Sequence, residues 1–144
     1  MRQLGKQPVH DLVIRSIPTL WEKNGQQFVE INAGSDRNVC AALPDVYPDV
    51  IGFAHQNGPT QLLWVAEVET EDTITLHKAR TRWRQYAALD VPLFLIVPVG
   101  YRDLASLVAQ HEGVPVAGIY TYWFDKEELR IMNNNGVDAE YNCA

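Results

Sequence analysis

Three carboxylates in the middle of the chain stand where carboxylates need a reason. Asp49 follows Pro48 at the start of the strand-like run Val50-Ile51-Gly52-Phe53, and Glu67 and Glu69 close the apolar stretch Leu62-Leu63-Trp64-Val65-Ala66. Side chains alternate faces along a strand, so Glu67 and Glu69 share one face while Val68 points to the other. Two anions side by side at the mouth of a buried strand repel unless a cation, a lysine or bulk water receives them. Positive charge follows soon after: Lys78, Arg80, Arg82 and Arg84 put four of the chain's 12 Lys and Arg in one short segment.

Bringing these groups together takes two strands and a helix. Gln56-Asn57-Gly58-Pro59 is a turn by composition, so 50–53 and 61–69 read as an antiparallel pair. One tight hairpin then suffices to bring Asp49 and Glu67, 18 residues apart, side by side. Glu71-Asp72 are acids suited to a helix N-terminus, and 73–89 reads as a helix. At about 100° per residue, Leu76, Ala79, Trp83, Tyr86 and Ala87 form an apolar side, and Lys78, Arg82 and Gln85 a separate polar ridge. The continuous apolar run 91–98 is expected of a central strand covered on both faces. Helix plus buried strand after Glu69 makes a crossover, so these two strands are expected to be parallel neighbours.

The flanks are less informative. Residues 8–23 read as a helix carrying Leu12, Val13, Ile17, Leu20 and Trp21, with a kink or fresh start near Ser16 because of Pro18. Residues 27–31 alternate like a half-buried strand, with 38–43 as a hairpin partner. A second amphipathic helix spans 101–112 and stops at Gly113. Residues 119–124 and 129–132 flank Asp125-Lys126-Glu127-Glu128, either as an edge hairpin or as a strand with a short helical turn. From Asn133 onward a frayed tail is expected.

The 144 residues fit one domain, 1–144, and 47% hydrophobic with 21% charged residues excludes disordered, collagen-like and fibrous classes. No run has the length of a membrane span, and Met1-Arg2-Gln3-Leu4-Gly5-Lys6 lacks an apolar signal region, so a cytoplasmic location without a membrane partner is expected. A net charge of -6 argues against broad coating of nucleic acid. It leaves room for a nuclease, because metal-binding acids add to that count and a local basic stripe can coexist with it.

The order of helix, mixed sheet, Pro48-Asp49 at one strand, Glu67-Val68-Glu69 at the end of the next, basic helix and apolar strand resembles the PD-(D/E)XK nuclease superfamily. The resemblance covers the chain in element order and is sharpest from Pro48 to Tyr86. It implies an α/β restriction-endonuclease-like core: a mixed central sheet flanked by helices. It also implies a Mg²⁺-dependent nuclease acting on nucleic acid, DNA above all, with Mn²⁺ as substitute and a homodimer as an allowed state. Asp49 and Glu67 would hold the metal, with Glu69 a further ligand or a base for water, and hard oxygen ligands suit Mg²⁺. The third motif position, usually lysine, is Glu69 here, which removes the expected charge beside the reacting phosphate. Lys78 is the candidate substitute, and Lys78, Arg82 and Gln85 would meet nucleic acid. Gln85-Tyr86 is similar to the Gln-containing helix of RecB-like and resolvase-like members. Glu22 or Glu30 would be the further acid that many members donate.

Other readings stand beside this one. Asp49 could be a turn or cap residue, and Glu67 and Glu69 could face solvent or pair with Lys78 and Arg82. A catalytically inactive domain of the same fold, binding protein or nucleic acid, would fit the missing lysine and the acidic charge. His10, His55, His77 and His111 show no paired metal spacing, nor do Cys40 and Cys143. Trp21, Trp64, Trp83 and Trp123 are expected in the core.

Overall fold

The computed structural model describes residues 6–21, 28–32, 47–55 and 60–132. Helix α1 (Lys6–Trp21) precedes strands β1 (Phe28–Ile31), β2 (Val50–His55) and β3 (Thr60–Val68). A continuous helix over 76–87, here α2, links β3 to β4 (Leu93–Pro98). Helix α3 (Arg102–His111) then leads to β5 (Gly118–Asp125) and β6 (Glu128–Met132).

The six strands lie in the sheet in chain order. β1, β2 and β3 are antiparallel neighbours, β3, β4 and β5 are parallel, and β6 returns antiparallel to β5. The expected hairpin and crossover are therefore both present, in an α/β fold built on a mixed sheet. The alternating faces of the strands feed two cores. Val13, Ile14 and Ile17 of α1 pack with Val50, Trp64, Ala66, Val68 and Ile96. Ala79, Trp83 and Tyr86 of α2 and Ala105, Val108 and Ala109 of α3 pack with Ile51, Val65, Leu93, Leu95 and Val97. β4 contributes to both cores, which is why its apolar run is uninterrupted. No helix among the described residues is long and apolar enough to cross a membrane.

Several local expectations are corrected. Pro18 lies inside α1 with no fresh helix start at Ser16, whose hydroxyl donates to Leu12 O at 2.9 Å. Glu71-Asp72 form a turn, and the N-cap of α2 is Thr75, whose side chain accepts from Lys78 N. Leu76 is exposed at the start of α2 instead of lying on its apolar side. Residues 38–43 and 133–144 fall outside the described residues. The segment left open between 125 and 128 is a hairpin whose two turn residues, Lys126 and Glu127, both have positive φ. That geometry usually carries Asn-Gly or Asp-Gly, so its sequence gave no turn signal.

Gly52 is fixed by packing. It faces Trp64 across the β2–β3 ladder, beside a register shift, and a Cβ there would overlap the indole. Gly52→Ala is expected to destabilise the protein by about 1–3 kcal/mol in urea unfolding, the usual cost of an added group in a filled core. An unchanged midpoint would contradict this packing.

Candidate functional site

The ladder between β2 and β3 ends at the pair Val50 and Ala66. One step further, Asp49 and Glu67 fall on the same face as Ile51 and Val65, the face that α2 covers. Asp49 N donates to Glu67 Oε1 at 2.8 Å, and Val68 N donates to Asp49 Oδ2 at 2.9 Å. The Pro48-Asp49 backbone is gripped from the β1 side as well: Asn32 N donates to Asp49 O at 2.9 Å and Asn32 Nδ2 to Pro48 O at 2.7 Å. Asp49 is thus locked between two strands with its carboxylate beside that of Glu67.

Glu69 points the same way and is fully buried. Its Oε1 accepts from Lys78 Nζ and from Thr73 Oγ1, each at 2.9 Å, and its Oε2 accepts from Trp83 Nε1 at 2.6 Å. Lys78 Nζ also stands 3.8 Å from Glu67 Oε2. Lys78 and Trp83 reach one carboxylate from positions five apart, which on a regular α-helix differ by about 140° round the axis. Residues Ala79–Trp83 form a π turn, with Arg84 N donating to Ala79 O, and this wider turn brings the two side chains toward one side.

The basic segment divides between two faces. Lys78 and Arg82 turn to the site, where an Arg82 amino group donates to Tyr86 Oη at 3.3 Å and Tyr86 Oη donates to Tyr47 O at 3.3 Å. Arg80 and Arg84 turn away and pair with Glu112 at the end of α3.

A cavity of about 420 Å³ opens over the strand ends. Asp49, Glu67, Lys78 and Arg82 line it, together with Thr70, Asp72, Thr73 and His10. Glu69 lies behind this lining. Gln85 is exposed on α2 and does not reach the cavity, so the ridge read from the sequence loses its last member. Glu30 pairs with Ile51 on β1, and Glu22 lies outside the described residues.

His10 is the residue that sequence reasoning missed. Its Nε2 stands 3.2 Å from Asp49 Oδ2 and its Nδ1 3.2 Å from Asp11 Oδ1. An imidazolium, with both N–H groups donating, satisfies this arrangement. Burial alone would lower the pKa of His10, but the hydrogen bonds and charges of Asp49 and Asp11 hold it above the ordinary histidine value. His10 lies 39 residues from Asp49, with no local pattern to connect them.

The cluster holds three carboxylates, with the Lys78 ammonium on Glu69 and Glu67 and the His10 imidazolium on Asp49. Burial, then the charges of Asp49 and Glu69, push the Glu67 carboxyl well above the usual range, against the pull of Lys78. Burial also raises Glu69, restrained by Lys78 and the Trp83 hydrogen bond. For Lys78, burial acts downward, but Glu69 and Glu67 keep the ammonium above its ordinary value. Among the described residues, Asp49 Oδ1 and Glu67 Oε2 accept no hydrogen bond. No cluster of three His, Cys, Asp or Glu able to hold a metal ion is found among the described residues either.

Compared with known family models, curated proteins and solved structures, the chain matches none.

The raised Glu67 pKa has a definite sign. Between its unfolded value, about 4.3, and its higher folded value, the folded state binds more protons than the unfolded one, so this group makes stability fall as pH rises. Glu67→Gln is therefore expected to melt above wild type at neutral pH in metal-free buffer, with the gain vanishing below the unfolded value. A lower melting temperature for the variant at neutral pH would contradict the charge balance described here.

Proposed function

We propose that the chain is a restriction-endonuclease-like, metal-dependent phosphodiesterase acting on nucleic acid, with DNA as its substrate. The observation carrying this reading is the Asp49–Glu67 pair, brought from adjacent strands to within one hydrogen bond and opening on a cavity that Lys78 and Arg82 also line. The order of elements supports it too: helix, antiparallel strands, crossover helix, parallel strand.

The residues fit a hard divalent cation. They offer two neighbouring carboxylates, each with one oxygen that accepts no hydrogen bond, where burial and then the charges of Asp49 and Glu69 raise Glu67. Mg²⁺ is commonly bound by one or two carboxylates with several waters retained, and two neighbouring carboxylates are what this site presents. Asp49 and Glu67 would hold the ion. When bound, it supplies Lewis-acid polarisation of a phosphoryl oxygen and a more acidic water.

The remaining residues have distinct work. Lys78, kept protonated by its two glutamates, is a fixed positive charge for the anion that develops on the phosphate, and is unsuited to act as a base. Arg82 presents a guanidinium, whose fork matches phosphate oxygens. His10 orients Asp49 from α1. Glu69, with both oxygens engaged, is withdrawn from the ligand and base roles that the motif position implied.

Supercoiled plasmid incubated with the protein and Mg²⁺ or Mn²⁺ should be nicked, and Glu67→Ala should abolish this. Lys78→Ala should lower kcat by about 10²–10³, the usual effect of removing one group that stabilises developing charge. Nicking that survives Glu67→Ala would count against the assignment. If millimolar Mn²⁺ gives neither heat nor a rise in melting temperature, the fold is instead a binding module without catalysis.

A further inference from the structure

Glu69 occupies the strand position two beyond Glu67, on the same face, and is sealed from solvent. Its three donors differ in kind. Thr73 and Trp83 bring uncharged groups, and the indole is wholly buried. Lys78 brings a full charge, and it alone of the three both carries that charge and lines the cavity beside Glu67. The strand backbone beneath is fixed from β5, where Tyr122 Oη donates to Glu69 O at 2.9 Å. A lysine on a long flexible stem, placed on a helix and free to sample solvent, would not stay over the carboxylate pair without such an anchor.

We propose, resting on the hydrolase reading above, that Glu69 is a positioning residue. With the π turn of α2, it holds the helix-borne Lys78 ammonium beside Glu67, over the cavity that both line. Trp83 is the second clamp on the same carboxylate, and the π turn lets residues five apart reach it together.

The test uses the whole chain and supercoiled plasmid with Mn²⁺. Glu69→Gln keeps the shape and an acceptor for Trp83 but removes the charge that holds Lys78. It is expected to lower kcat at least tenfold with KM within about twofold. Ethylammonium added to Lys78→Ala should restore part of the lost kcat, because Glu69 still offers its oxygen to a free cation. The same amine should do nothing for the Lys78→Ala, Glu69→Gln double variant. Wild-type kcat in Glu69→Gln, or equal rescue of the double variant, would overturn the proposal. If Glu69→Gln does not fold, Glu69→Asp, whose carboxylate stops one methylene short, carries the same comparison.

A second readout separates this proposal from the hydrolase reading. In ¹H–¹⁵N spectra of the metal-free protein, the held Lys78 ammonium should give a slowly exchanging signal that Glu69→Gln removes, while the Trp83 indole signal persists. Loss of the ammonium signal in a chain that never cleaves would leave the anchor standing and the hydrolase reading refuted. An ammonium signal unchanged in Glu69→Gln would refute the anchor.

Discussion

A carboxylate shut away from water needs donors on both of its oxygens, and the region around β3 and α2 is arranged to supply them to Glu69. An unpaired buried charge is among the most costly features a fold can carry. Thr73 comes from the turn after β3, Lys78 from the first turn of α2 and Trp83 from the end of its π segment. Meeting that single demand fixes the start of the crossover helix and its phase over the sheet. It also leaves one ammonium at the mouth of the cavity, 3.8 Å from Glu67.

Glu67 stands in a different balance. It is buried with one oxygen tied to the Asp49 amide, and its neighbours Asp49 and Glu69 outweigh the help from Lys78. Asp49 and Glu67 both line the cavity, together with Lys78, Arg82 and His10. Lys78 stands 3.8 Å from Glu67, and His10 pairs with Asp49. The two glutamates thus differ: both oxygens of Glu69 accept hydrogen bonds, whereas Glu67 accepts one from the Asp49 amide and lines the cavity.

Much of this was legible in the sequence, for identifiable reasons. The Pro48-Asp49 and Glu67-Val68-Glu69 segments sit beside apolar runs with clear turn signals between them, so the hairpin, the crossover and the shared face follow from periodicity alone. Lys78 and Arg82 were read correctly as one ridge because they precede or fall inside the π turn. Gln85 was misplaced because the reading assumed a regular α-helical phase, and a π turn changes that phase with no residue type to announce it. His10 was missed because its meeting with Asp49 depends on how α1 crosses the strand ends, a tertiary fact without local pattern. The β5–β6 hairpin stayed open because Lys126 and Glu127 adopt positive φ without the glycine or asparagine that usually marks it.

In the proposed hydrolase, Asp49 Oδ1 and Glu67 Oε2 would together hold the divalent cation. A crystal of the protein soaked in Mn²⁺, with data collected at an energy where manganese scatters anomalously, tests this directly. One anomalous peak is expected between Asp49 Oδ1 and Glu67 Oε2, within bonding distance of both. No peak at this pair, or manganese found only elsewhere on the surface, would contradict the account.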